Sequence, residues 1–213
     1  MRLTTTLFFS LIIISCSFAQ KTIDGNPADW TGTPSGTAHG TVTSAGEWIY
    51  TGESNDERTD FDGTQESSDN DFTEIRISKD NTYLYFLIRV RDLTNVNHPH
   101  ICFAITNGSS TQNFIGDDSF RSNTNNSTAT GLGSSGQHGR LADFHATTSG
   151  NANIEMYDGG SWYAPPSSDH QISMSTSNEV IEARINLSDL GLNSSSTFTI
   201  SIMSTPNRIV FNN

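Results

Sequence analysis

The stretch of sequence that decides the fold runs from residue 72 to residue 93 and reads F-T-E-I-R-I-S-K-D-N-T-Y-L-Y-F-L-I-R-V-R-D-L. In its second half, apolar side chains recur at every other position: Leu84, Phe86, Ile88 and Val90. Tyr83, Tyr85, Arg89 and Arg91, whose side chains carry polar groups, share the opposite face. This alternation is typical of a strand with one buried face. Asp80-Asn81 supplies a turn to an earlier strand at residues 73–78, so the stretch predicts a β-hairpin.

The rest of the chain repeats this strand pattern and carries few helix signals. Further strands are predicted at residues 100–106, 141–147, 152–157, 170–175, 179–186 and 197–204. Residues 188–191, Ser-Asp-Leu-Gly, predict one short helical turn closed by glycine. Many short antiparallel strands joined by Gly, Asn and Ser turns predict an all-β fold, an antiparallel β-sandwich of the immunoglobulin-like jelly-roll type.

Residues 1–19 are predicted to be a bacterial secretory signal peptide that is not part of the fold. An apolar run at residues 7–14 is followed by small side chains at Ser17 and Ala19, which fit a cleavage site before Gln20. The apolar run is too short to span a bilayer, and no later stretch is long enough.

An alternative to cleavage at Ala19 is lipidation of Cys16, because residues 13–16 resemble a bacterial lipobox. In either case residues 20–213 are predicted to form a single β-sandwich domain with a long polar loop near residues 107–139. The expected localisation is secreted or at the cell surface.

The charge balance narrows the range of partners. The 213 residues contain 11 basic and 23 acidic side chains, and without Arg2 of the signal peptide the net charge is −13. This charge argues against nucleic acid and against anionic membranes as partners. It suits cation binding, or a soluble extracellular surface. Cys102 is the one cysteine after Cys16, so the domain is expected to contain no internal disulfide.

An acidic segment at residues 53–71 leads directly into the hairpin. It holds eight carboxylates against one cation, Arg58. Calcium takes six to eight oxygen ligands in flexible geometry, so this composition predicts a calcium site. The predicted ligands are Asp56, Asp60, Asp62, Asp69 and Asp71. Asp117-Asp118 is a second, smaller candidate, and the alternative for the acidic segment is a solvated charged loop.

Four segments together resemble a known superfamily. They are residues 23–30 (I-D-G-N-P-A-D-W), the hairpin from residue 71, the strand at residues 99–106 and the late strand at residues 180–191. In this order they resemble the DOMON-like β-sandwich superfamily, in particular family 9 carbohydrate-binding modules and the C-terminal domain of glucodextranase. The resemblance implies the same β-sandwich, a structural calcium near the hairpin, and glycan binding.

Sugar-binding modules stack aromatic rings on the apolar faces of pyranose rings. The aromatic positions predicted to bind glycan are Tyr157, Trp162, Tyr163 and Trp48. The first three surround a glycine-containing turn, Asp158-Gly159-Gly160-Ser161. Trp30, in the opening motif, is expected to be a core residue.

Other chemistries have weaker sequence support. A haem-binding DOMON domain would use Met and His, which occur in or near predicted strands at Met156, Met174, Met203, His145 and His170. A glycoside hydrolase would need two carboxyls across a cleft, and adjacency of Asp117 and Asp118 does not provide them.

The sequence therefore predicts a non-catalytic, calcium-stabilised glycan-binding module outside the cell. The alternative is a structural or adhesive extracellular module that has no sugar site and contacts other extracellular modules.

Overall fold

The computed structural model describes residues 20–34, 41–52, 71–93, 101–106, 136–141, 154–157 and 162–204. Within these ranges the regular structure is almost entirely strand. In chain order the strands are β1 Thr41–Val42, β2 Trp48–Thr51, β3 Phe72–Lys79, β4 Tyr83–Val90, β5 Ile101–Thr106, β6 Gly136–Leu141, β7 Ile154–Tyr157, β8 Trp162–Tyr163, β9 Gln171–Ser175, β10 Val180–Asn186 and β11 Thr199–Ser204. Two 3-10 turns, Pro27–Asp29 and Leu187–Leu190, complete the described elements.

The strands form two sheets in which the described neighbours pair antiparallel. Sheet 1 has the order β1-β2-β3-β4-β10-β9, and sheet 2 has the order β11-β5-β6-β7-β8. The hairpin β3–β4 lies in the middle of sheet 1 and pairs Ile77 with Phe86. The all-β prediction is thus confirmed, while the finer prediction of a DOMON-like jelly roll stays a prediction.

The inner faces of the two sheets share one apolar core. In sheet 1 the core side chains come from alternate positions of β3, β4 and β10, and in sheet 2 they come from β5 and β7. The rings of Phe86 and Phe103 lie 5.4 Å apart across this core. The second 3-10 turn adds Leu187 and Leu190, and it ends at Gly191 in the left-handed conformation, as the sequence predicts.

Strand β4 differs from the prediction of one buried face. Tyr85 and Leu87 point away from the core, yet both are fully buried. They pack with Trp30, which belongs to residues 20–34. We call residues 20–34 the strap, because this segment lies across the outer face of sheet 1. Alternation alone could not reveal this cover, which comes from a segment about fifty residues earlier in the chain.

Sequence patterns placed most strand bounds well and missed the shortest strands. Strands β1, β2 and β8 contain two to four residues, too few for an alternating pattern to stand out. Strand β6 begins at Gly136, inside the range predicted as loop, because its glycines hide the alternation. The rest of the predicted loop, residues 107–135, and the signal peptide with Cys16 lie outside the described residues. Within the described ranges, no helix has the length and apolar character needed to cross a bilayer.

Candidate functional site

Glu182 of β10 fixes the first half of the strap to sheet 1. Its side chain is fully buried, and its two oxygens accept hydrogen bonds from Trp30 Nε1 at 2.8 Å and from the Gly25 amide at 2.7 Å. The Asp24 amide also donates to Glu182, at 3.3 Å. Burial raises the pKa of Glu182, although these donors favour its ionised form. A buried carboxylate with this many donors holds the strap in one position.

Glu47 fixes the second half of the strap in a similar way. It is fully buried and forms ion pairs with Lys21 at 2.5 Å and with Arg76 at 3.1 Å. The amides of Thr31 and Gly32 donate to its two oxygens at 3.1 and 2.9 Å. Arg76 also donates to the Trp30 and Gly32 carbonyls of the strap. One anion between two cations, with backbone donors besides, makes a network whose members depend on each other.

The opening motif of the strap is explained by its local backbone geometry. Gly25 has a φ of +79°, and a Cβ built on it would lie 3.1 Å from Ser175 Cβ, so a side chain is disfavoured there. Asn26 caps the first 3-10 turn by accepting from the Ala28 amide, and Asp29 accepts from the Thr22 amide at 2.6 Å. The motif therefore has a structural role, and Trp30, 5 % exposed, is a core residue as expected.

The outer face of sheet 2 gathers a different set of residues. Ile154 and Met156 of β7 are buried in the core, and successive strand residues point to opposite faces, so Glu155 and Tyr157 lie on the outer face. The register then aligns one row across the sheet on this face: Ser201, Ala104, His138, Tyr157 and Trp162. A second row places Arg140 opposite Glu155. We call these two rows the sheet 2 outer face.

The structure brings together two of the four predicted glycan-binding residues. Tyr157 and Trp162 are paired directly across β7 and β8. Tyr163 is paired with Met156, on the core side of the same hairpin. Trp48 lies on the inner face of sheet 1, where it is stacked with Tyr50 at 6.5 Å and packs against the core.

Sequence reasoning missed three residues of the sheet 2 outer face, His138, Arg140 and Glu155. His138 and Arg140 alternate within Gly-Gln-His-Gly-Arg-Leu, residues 136–141. This alternation is the one signal that could have identified His138 and Arg140. It is weak, because two of the six residues are glycines.

Four of the five predicted calcium ligands, Asp56, Asp60, Asp62 and Asp69, lie outside the described residues, as does Asp117-Asp118. The fifth, Asp71, is 1 % exposed, and its carboxylate lies 3.2 Å from Arg91 Nε. In the described part of the chain, no group of three or more His, Cys, Asp or Glu side chains is arranged to hold a metal ion. The ion pair gives Asp71 a structural role at the start of β3.

The end of sheet 1 near the Asp80 turn carries a polar aromatic group. The Tyr83 hydroxyl donates to Asp169 at 2.5 Å and the Tyr85 hydroxyl donates to Asp80 at 2.7 Å. The Tyr83 hydrogen bond holds the pKa of Asp169 below its usual value, and burial raises the pKa of Tyr85. The guanidinium of Arg184 lies over the Tyr83 ring at 4.7 Å. Both tyrosine hydroxyls thus have a carboxylate partner within the cluster, which is typical of a structural role.

The residues considered for haem are placed separately. Met156 is buried in the core, and Met174 is half-buried on β9. His170 Nδ1 lies 2.7 Å from the Ser167 carbonyl oxygen, which fixes the ring near the protein surface. His145 lies outside the described residues, and Met203 falls on the outer face of sheet 2 by register.

Comparison with known proteins gives no relative: the chain matches no family model, no curated protein and no solved structure.

Proposed function

We propose that the protein is a non-catalytic module that binds glycans outside the cell through the sheet 2 outer face. The observation that carries this proposal is the register of β7 and β8, which pairs Tyr157 with Trp162 on the face opposite the buried Met156. Cross-strand partners have Cβ atoms about 5 Å apart, so the register sets two aromatic residues next to each other. Paired aromatic residues suit the apolar face of a pyranose ring.

The neighbouring positions supply the polar groups that a sugar ligand needs. Arg140 and Glu155 occupy the next row, and His138 precedes Tyr157 in the same row. Between them these side chains offer donors and acceptors for hydroxyl groups. Glu155 is the one acidic residue that the register places on the sheet 2 outer face, whereas glycoside hydrolysis uses two carboxyls. This composition favours binding over catalysis.

The test is binding to a glycan array and to insoluble polysaccharides, followed by affinity measurements on the best ligand. We expect Trp162→Ala and Tyr157→Ala each to weaken binding by about tenfold or more, because each removes a large apolar contact. The melting temperature of both variants should stay close to that of the wild type. Val42→Ala is the matched control, because Val42 is a 72 % exposed apolar side chain on sheet 1.

Two results would overturn the proposal. One is no binding to any glycan at millimolar concentration. The other is a Trp162→Ala protein that binds as tightly as the wild type. Either result would favour a structural or adhesive extracellular module without a sugar site.

We also propose that calcium stabilises the acidic segment. The described ends of this segment support the idea, because Gly52 and Thr73 are joined by a backbone hydrogen bond of 3.1 Å at the ends of β2 and β3. The two described residues that flank residues 53–70 on either side are therefore close together, and this stretch of sequence contains seven carboxylates. A site of this kind would raise stability by mass action. Chelation should lower the melting temperature of the wild type, and should not lower that of Asp60→Asn. An unchanged melting temperature with chelator and with added calcium would exclude the site.

A further inference from the structure

The inner face of sheet 1 extends beyond β11, the edge strand of sheet 2 that lies opposite it. Strands β1 and β2 are the last two strands on one side of sheet 1, and β11 is the edge strand of sheet 2 that faces them. The register places Val42 beside Trp48, and Trp48 beside Ile77 of the core. Ile77 is 6 % exposed, whereas Val42 is 72 % exposed. An apolar face thus passes from the core into an open cleft.

This cleft has the size and lining of a small-molecule site. Its volume is about 460 Å³, and its walls include Trp48, Ile77, Leu84, Phe198 and Ile200. A second cavity of about 240 Å³ shares Trp48, Ile77 and Ile200 as lining residues, so the two cavities are adjacent. Ligand-binding cavities in proteins typically measure about 300–1,000 Å³ and are mainly apolar.

Lys79 places a cation at the cleft. Lys79 Nζ donates to the carbonyls of Ser194 and Ser196 at 2.9 and 2.6 Å, and it lies 5.9 Å from the Phe198 ring centroid. These contacts hold the ammonium beside the apolar wall. Carbonyls are neutral acceptors, so its charge is not balanced by them, and the described lining residues include no carboxylate. An ammonium has three N–H donors, and the two carbonyls occupy two of them.

We propose that this cleft binds the alkyl chain of an anionic amphiphile, a medium-chain fatty acid, whose carboxylate pairs with Lys79. Burial of each methylene contributes about 0.8 kcal/mol, so an alkyl chain suits the apolar walls. Among the described lining residues Lys79 is the one cation, and its described acceptors are neutral, so it complements an anionic head group. This site is separate from the sheet 2 outer face, and it needs neither a glycan nor calcium.

The experiment titrates the mature chain, residues 20–213, with decanoate and with the neutral decanol, using the fluorescence of the tryptophans and calorimetry. The wild type should bind decanoate more tightly than decanol. Lys79→Met should weaken decanoate binding by about tenfold and leave decanol binding unchanged, because it removes one charged hydrogen bond. Lys79→Arg should keep the preference for decanoate. Ile200→Trp should weaken both ligands, because it fills the cleft.

Arg89→Met is the matched control, because Arg89 also donates to a backbone carbonyl, that of Asn178, but on the outer face of sheet 1. It should bind both ligands like the wild type. Equal affinity of the wild type for decanoate and decanol would overturn the proposal. So would binding seen only in a chain that ends at Ser204, since residues 205–213 would then occupy the cleft. A concentration-dependent dimer that Ile200→Asp abolishes would also overturn it, since a second copy would then be the occupant.

Discussion

The outer faces of the two sheets carry similar residues, and we propose that they have different roles. On sheet 1, Tyr85 and Leu87 point away from the core and are fully buried under the strap, whose Trp30 donates to Glu182. On sheet 2, Tyr157 and Trp162 lie at paired positions of the outer face and form the proposed ligand contact. The strap shows that an outward aromatic residue serves the fold where another segment of the chain covers it. The proposed glycan contact would use outward aromatic residues for a ligand instead.

The largest effect is expected from breaking the ion network under the strap. Glu47→Leu leaves Lys21 and Arg76 without their shared anion in a buried place, so it should lower the free energy of unfolding by about 3–5 kcal/mol. Urea denaturation measures this change. Glu74→Gln is the control, because Glu74 also pairs with Arg76 but is less deeply buried than Glu47, and we expect a smaller loss, of about 1–2 kcal/mol. Equal losses would mean that burial of Glu47 does not decide the strap's stability.

A pair of tryptophan variants tests the comparison directly. Trp30→Ala removes a buried ring and the donor to Glu182, so it should cost about 3 kcal/mol or more of unfolding free energy. Trp162→Ala on the sheet 2 outer face should cost less than about 1 kcal/mol. Thermal and urea unfolding of the two variants under identical conditions give the comparison. A large loss in Trp162→Ala would show that sheet 2 also depends on its outer aromatics for folding.

The alternating strands were predictable because the core face of each one follows from the apolar residues at every other position of the strand itself. Leu84, Phe86 and Ile88 identify β4 without knowledge of any other segment, and Asp80 supplies its turn by accepting from the Thr82 and Tyr83 amides. Strands of two to four residues, such as β1 and β8, are held by their neighbours and not by a pattern of their own.

The strap was not predictable as a cover, although its motif was recognised as a resemblance. Its position depends on Glu47 and Glu182, which lie far apart in sequence and look like ordinary surface acids. The pairing of Tyr157 with Trp162 could not be obtained either, because a one-residue shift in register would exchange the faces of Trp162 and Tyr163. Local sequence patterns do not determine which distant segments contact each other. They do not determine the exact register between strands either.

A smaller change at Glu182 tests how its carboxylate holds the strap. Glu182→Gln replaces one of two acceptor oxygens by an NH₂ group, so either Trp30 Nε1 or the Gly25 amide loses its acceptor. The expected loss is about 1–3 kcal/mol of unfolding free energy. Glu179→Gln, at the turn before β10, is the control, because Glu179 is only half-buried.

The pH dependence of the stability lost in Glu182→Gln reports on the charge of the buried Glu182 side chain. Burial raises the pKa of Glu182 in the folded protein, so the folded state holds the proton more tightly than the unfolded chain does. The stability that this group contributes is then greatest below its unfolded pKa of about 4.3 and declines as the pH rises through the folded pKa. Glutamine does not titrate, so the difference in unfolding free energy between wild type and Glu182→Gln should shrink as the pH rises through the folded pKa of Glu182. A difference that grows with pH would mean that the donors from the strap outweigh burial, and that the strap is held by an anion stabilised in place.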